Sequence, residues 1–377
     1  MSTIAVNQIT DASGGATATI NTFTPTASNM AGRNKIIGGD FTTNPWQRGT
    51  SFTALADNAY CADRFYVRHA GSFVADVLRT ADAPTATASG VGASYCLHVD
   101  VTTGAAVGAN DRYFIRQTLE GYNTESLGNG ESGTRYFTVS FWVKSTITGI
   151  YSLAFQGVDR LYIAEYTVSV ADTWEKKEVT VPCATDGTWN AGNTAGMTAT
   201  WYLAGGSTYY NTTGSWLSTS SAYCSANQVN ALSNAANNFK IALVQLEVGS
   251  VATPFETRLY GQELALCQRY YQKFGAGVGN YYPFGSGAWY SSTYAEITIA
   301  LKVTMRTSPT GNASAANTFS INGGVTVTPT SINPVNRITP DTADVSFSAA
   351  SGGVAGYGMI VHANNVTTAF LEYSAEL

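Results

Sequence analysis

The chain is poor in charge. Aspartate, glutamate, lysine and arginine make up 12% of its 377 residues, about half the usual share. The net charge is −5, the pI is near 5.2 and no run of lysine or arginine occurs, so a phosphate-binding surface, and with it a nucleic-acid partner, is not expected. Apolar runs are also short. None approaches the roughly 20 residues needed to span a bilayer, which argues against membrane insertion. The N-terminus, MSTIAVNQITDASGG, has neither the basic start nor the apolar centre of a secretory signal.

Catalytic signatures are missing too. There is no GxSxG, Walker loop, HExxH or GxGxxG after a strand. The three histidines, His69, His98 and His362, stand alone, and His98 in CLHVDV reads as a packed strand residue. Enzyme chemistry would fall to carboxylates, since a glycan depolymerase needs two of them roughly 5–10 Å apart. Asp159 with Glu165, or Asp57 with Asp63, are candidate pairs, although each is an ordinary turn or strand-edge residue by default. Catalysis is not expected. The five cysteines, Cys61, Cys96, Cys183, Cys224 and Cys267, are odd in number and widely spaced, without a CxxC. They read as buried thiols, with a Cys183–Cys224 bridge as the alternative and zinc disfavoured.

What fills the chain is glycine (37), tyrosine (22), and serine, threonine, alanine and asparagine. This is the profile of many short strands joined by Gly- and Asn-rich turns. At 377 residues two domains with proper cores fit. Tyr136–Val143 alternates, with Phe137, Val139, Phe141 and Val143 on one face. Tyr95–Val101, Asp111–Gln117, Leu161–Val170 and Trp174–Val181 read as further strands of an antiparallel sandwich. Phe239–Val248 is apolar on both faces, as a strand buried between two layers would be. After it, Thr253-Pro254 enforces an extended segment, and Leu264, Cys267, Tyr271 and Phe274 fall at helical spacing. Ile297, Ile299, Leu301, Val303 and Met305 then give the cleanest period-two strand. Further strands are expected at Asn317–Val327, Ala343–Ser348, Tyr357–His362 and Thr367–Tyr373. Residues 1–33 are polar, with Ile4, Val6, Ile9 and Ile20 as the regular apolar points; alone they bury too little surface to order themselves.

Two stretches carry rings among small polar residues. In the first, Trp189, Trp201, Tyr209, Tyr210 and Trp216 lie between Cys183 and Asn238, with Asn190, Asn193 and Asn211. In the second, Tyr281, Tyr282, Trp289 and Tyr290 lie in GAGVGNYYPFGSGAWYSS. Sugar faces stack on flat rings while their hydroxyls take hydrogen bonds from amides, so all nine rings are candidate ligand-binding residues. Trp46, Trp142 and Trp174 read as core.

QLEVGSVATPFE followed by GQELALCQRYYQKF closely resembles a junction common in bacteriophage tail-fibre and receptor-binding proteins. The opening NKIIGGDFTTNPWQRGTSF, CADRF at 61–65, and the terminal SAEL resemble other segments of the same family. The resemblance implies an all-β chain: an N-terminal virion-attachment or trimerisation segment (1–33), a jelly roll like a carbohydrate-binding module (34–258), and a short linking helix followed by a small antiparallel β tip (259–377). It implies a homotrimer in the virion tail, assembled in the host cytoplasm, joined to other tail proteins through its N-terminal segment, with host cell-surface polysaccharide as the ligand. A purely structural fibre, collar or adaptor, or a glycan-cleaving tailspike, are the alternatives. No organic cofactor is implied. A structural calcium, where similar modules hold one, would fall at Asp40 and Glu247.

Overall fold

The structure, a computed structural model, describes residues 32–219 and 221–377. Apart from its last two residues, the expected attachment segment 1–33 therefore lies outside the described residues. The chain is all-β and divides into two bodies, one of residues 32–44 with 49–259 and one of 45–48 with 260–377.

The first body is a sandwich of two antiparallel sheets. One runs, in spatial order, Ser51–Phe52, Val74–Thr80, Cys96–Thr103, Asn238–Val248, Tyr136–Ser145 and Glu175–Pro182. The other runs Trp216–Ser218, Arg160–Val168, Gly149–Gln156, Ala195–Gly205, Arg112–Glu120, Phe65–Ala70 and Ala59–Tyr60. The chain crosses repeatedly between the sheets, as in a jelly roll, although pairs such as Val74–Thr80 and Cys96–Thr103 stay within one. Alternation explains the core, because Phe137, Val139, Phe141 and Val143 are all fully buried on one face of their strand. Phe137 meets Phe155, and Phe141 meets Tyr166 and Trp201, across the two sheets.

Asn238–Val248 is central, paired with Cys96–Thr103 on one side and Tyr136–Ser145 on the other. Its ladder is interrupted between Ala242 and Gln245, where Leu243 takes φ +50°. This bulge turns Ala242 and Leu243 to a small outer cluster with Cys96, against which Trp142 and Trp174 are partly buried. The family-like segments at the two ends of this body are sewn together. Asn34 Oδ1 accepts from Ile36 N and Leu246 N, its Nδ2 donates to Val244 O, and Glu256 accepts from Asn34 N at 2.6 Å. Arg258 donates to Ile36 O and Asn34 O.

In the second body, Tyr294–Ala300 pairs with Thr342–Ser348 and Pro283–Trp289 in a seven-stranded sheet. Tyr271–Gly275, Phe370–Ser374 and Thr310–Ala313 form a three-stranded one. The buried strand residues Ile297, Val345, Phe347, Val361 and Leu371 share its core. The period-two strand stops at Ala300, although Leu301 and Met305 stay buried. Trp46 is 4% exposed; its neighbours Gln47 and Arg48 hold Tyr271 O and Glu376.

The helix is shorter than its pattern implied. It spans Tyr260–Gln268, and Tyr271 and Phe274 lie on the strand that follows. That strand is covered on both faces, with Tyr271, Gln272 and Phe274 all buried, so its apolar residues show no alternation and mimic helical spacing. Gln272 fixes it, accepting from Lys302 N and donating to Gln268 O and Val303 O.

Candidate functional site

The rings read as one set from composition separate into four groups. Trp201 is fully buried beside Phe65 and Phe141, because strand alternation puts it with Met197, Ala199 and Leu203 on the inner face. It is a core residue, not a ligand contact. Trp289 is 1% exposed and lies against Gly353, where a Cβ would stand 2.3 Å from its Cε3. It too plugs a core. Tyr282 packs on the same core against Phe284. Tyr209 and Tyr210 are partly buried over Phe114, Tyr202 and Tyr223. Tyr281 and Tyr290 stand exposed at 63% and 61%.

Trp189 and Trp216 come together, ring centroids 5.5 Å apart at a right angle. Three connections position them: the segment after Arg112–Glu120, the turn at Gly157–Asp159, and the loop before Ala195–Gly205. Gly121 N donates to Thr194 O, Tyr122 N to Gly192 O, and Gly130 N to Ala184 O. Thr188 N donates to Asp159 Oδ1 at 2.8 Å, and Arg160 holds Asp186 through Nε and Nη2, both at 2.7 Å. These contacts hold both carboxyls below their usual range: the Thr188 amide does so first for Asp159, and the Arg160 guanidinium for Asp186. The loop is thereby pinned although it has no regular structure.

Trp189 lies between two glycines. A Cβ at Gly157 would stand 2.6 Å from its Cζ3, and one at Gly130 2.8 Å from its Cδ1. Both must be glycine for the ring to seat so closely. The two indole nitrogens are satisfied by backbone, Trp189 Nε1 by Asp186 O and Trp216 Nε1 by Pro182 O. Such anchoring leaves rings at the surface rigid, which is what stacking on a flat ligand requires.

Two recesses flank this point and share Asn190. One, of about 160 Å³, is lined by Trp189, Asn190, Asn129, Glu125 and Glu131. The other, of about 280 Å³, is lined by Asn190, Gln156, Gly157 and Thr198. Among the described residues, Asn129 Nδ2 and Thr198 Oγ1 are buried without a hydrogen-bond partner, one in each recess. Glu125, Glu131, Asn129, Gln156 and Thr198 were not anticipated. Glu125 opens the short turn Glu125–Leu127, Asn129 and Glu131 lie in the turn GNGESG, Gln156 ends its strand and Thr198 lies within its own, so no local pattern marks them. Asn190 was anticipated. Asn211 turns inward, donating to Ala222 O, while Asn193 is exposed nearby in the loop.

The other candidate constellations do not assemble. Glu247 is 2% exposed and accepts from Gln245 Nε2, Thr253 N and Thr253 Oγ1. Asp40 closes a turn by accepting from Thr42 N and Thr43 Oγ1. Asp40 follows Gly39, which pairs with Val244, whereas Glu247 follows Leu246, which pairs with Lys35. The two carboxylates thus serve separate places. Among the described residues no group of three or more His, Cys, Asp or Glu could hold a metal. Asp159 and Glu165 stand six residues apart along an extended hairpin arm, roughly 20 Å, and Glu165 accepts from Ser225 Oγ and Asn227 Nδ2. Asp57 is exposed and paired with Arg68, while Asp63 is buried. Cys183 and Cys224 are both thiols, pushed up by burial to about 11 and about 12.

No protein-family model matches the chain, and no curated protein does. Among solved structures the chain is similar to TmCBM61, solved with β-1,4-galactotriose, at 10% identity and TM-score 0.29, over 58% of this chain and 99% of that one. It is similar to the family 11 carbohydrate-binding module of Clostridium thermocellum, solved with a β-1,3-1,4-mixed-linked tetrasaccharide, at 9% identity and TM-score 0.28, over 54% and 99%. It is also similar to the CBM22-1 xylan-binding domain of Xyn10C from Paenibacillus barcinonensis, at 13% identity and TM-score 0.25, over 54% and 94%. At identities and TM-scores of this size the likeness says nothing of what this chain binds.

Proposed function

We propose that the chain binds glycan without cleaving it, at the Trp189–Asn190 recesses of the first body. The observation that carries this reading is the seating of Trp189: a half-buried indole held against Gly130 and Gly157, its N–H already satisfied, with a recess at its side lined by Asn190, Asn129, Glu125 and Glu131. A sugar ring stacks its apolar face on such an indole, and its hydroxyls take up amide and carboxylate partners. The adjoining larger recess extends the same surface past Asn190, enough for a second sugar unit. The biological setting we propose, from the family-like segments at 34–65, 245–274 and 374–377, is a homotrimeric phage tail-fibre protein that recognises host-surface polysaccharide. There, several copies raise avidity by roughly 10²–10⁴ over one site, so each site needs only weak affinity.

A glycan array with the purified protein and its Trp189→Ala variant tests the reading. Glycan signals that vanish in the variant support it, and signals indifferent to it refute it. Light scattering tests the trimer. The second reading is hydrolysis, favoured by one fact: Glu125 and Glu131 line a single recess. Release of reducing sugar from a bound polysaccharide, lost in Glu125→Gln, would establish it in place of simple binding.

A further inference from the structure

The charges around the smaller recess are lopsided. Its lining carries Glu125 and Glu131, both exposed, and the neighbouring loops add Asp159 and Asp186. Two guanidinium groups stand beside them and hold three of the four, Arg160 also lying 3.9 Å from Asp159, so that among the described residues Glu125 alone of these carboxylates has no cation. Arg135 Nη1 lies 2.5 Å from Glu131 Oε2, and Arg160 holds Asp186. A carboxylated or sulfated sugar entering here would meet carboxylates and the negative face of an indole, with both nearby cations already spent. A group of the opposite sign would meet an aromatic face and carboxylates together, the combination that attracts ammonium ions.

We infer that the recess beside Trp189 takes a sugar unit bearing a free ammonium group, an unacetylated hexosamine, in preference to neutral units, and rejects acidic ones. This rests on the glycan-binding reading of the same site. In that arrangement the ring of the sugar lies on Trp189, and its ammonium group donates to Glu125, the carboxylate of the lining that no arginine holds. Asn190, whose Nδ2 donates to Ala195 O, keeps its amide oxygen for a neighbouring hydroxyl.

The test is titration calorimetry of the full chain at low ionic strength and mildly acidic pH. The probes are oligomers of glucosamine, of N-acetylglucosamine and of galacturonic acid. The expected result is that the glucosamine oligomer binds about tenfold tighter than its acetylated counterpart and the galacturonate oligomer gives no heat. Screening by salt shortens the reach of exposed charges to about 3 Å at 1 M, so the preference should shrink in high salt. Glu125→Gln should bring the ratio down toward one. If the acetylated oligomer binds through Trp189 but the ratio is already one in the wild type, or if galacturonate binds equally well, this inference is overturned while the glycan-binding reading stands. If Trp189→Ala leaves every oligomer's binding unchanged, both fall.

Discussion

In the first body, Trp189 and Trp216 meet at a right angle beside two recesses. In the second, Trp289 disappears under Gly353 and Gly323, leaving Tyr281 and Tyr290 on the outside with ring neighbours His362 and Tyr294. Both stretches have the same composition. The difference lies in what other parts of the chain supply. Trp189 is framed by two glycines from separate connections and by side chains from the 121–131 segment, so one face is held and the surroundings are polar. Trp289 ends the strand Pro283–Trp289 and packs into the core of the second body beneath Gly353 and Gly323, whose missing side chains make room for it. A ring becomes a candidate binding surface here because of the partners that converge on it, not because of the residues beside it in sequence.

The comparison breaks most visibly at the buried rings. Trp201→Ala and Trp289→Ala should each cost about 3–5 kcal/mol of stability, read as a lower denaturant midpoint. If either change left stability intact and removed glycan binding, the division into core and surface rings would be wrong. Next, Trp189→Ala should weaken glycan binding by about 2 kcal/mol, roughly 30-fold, with little change in the unfolding midpoint. A gentler version is Gly157→Ala, whose new Cβ must displace the Trp189 ring. Overpacking of this kind costs about 1–3 kcal/mol, and the expected readout is about tenfold weaker binding by a protein that still folds.

Acid sharpens the comparison, because lost binding must be separated from loss of the sandwich itself. Burial alone would raise Asp82, but hydrogen bonds from Lys240, Trp174 and Lys144 outweigh it and hold the carboxyl at about 2. Its stabilisation is present above pH ~4 and lost as pH falls toward 2. Asp82→Asn leaves two lysines facing each other and should cost about 1–2 kcal/mol at neutral pH, less in strong acid. Burial, with Lys240 adding to it, lowers His98 to about 4. The unfolded chain then takes the proton first, so stability falls from pH ~6.5 down to 4, and His98→Gln should flatten that part of the curve. The smallest expected effect is at the exposed tyrosines: Tyr281→Ala and Tyr290→Ala should change glycan affinity less than about twofold.

Much of the fold was legible. Phe137 to Val143 and Ile297 to Ile299 alternate because one face of each strand is buried, and the all-β class followed from such strands and from Gly- and Asn-rich turns. Tyr271 and Phe274 misled because a strand covered on both faces has no periodicity of its own. The site was legible only in part. Trp189, Trp216 and Asn190 stand in one ring-rich stretch, but Trp201 in the same stretch is core, and only the register of its strand reveals that. Gln156 and Thr198 reach the larger recess through pairing between distant strands, and Glu125 and Asn129 reach the smaller one on an irregular segment held to the 184–194 loop by backbone hydrogen bonds. No local pattern encodes that convergence. Asp40 and Glu247, implied by likeness alone, serve a turn and a hydrogen-bonded clasp instead.

The most direct test of the central claim uses fluorotryptophan in place of the seven tryptophans, with resonances assigned by single substitutions and followed during titration with a bound glycan. Shifts confined to Trp189 and Trp216, with Trp201 and Trp289 unmoved, are expected. Shifts at Trp289, or none at Trp189 while the glycan binds, would contradict the account.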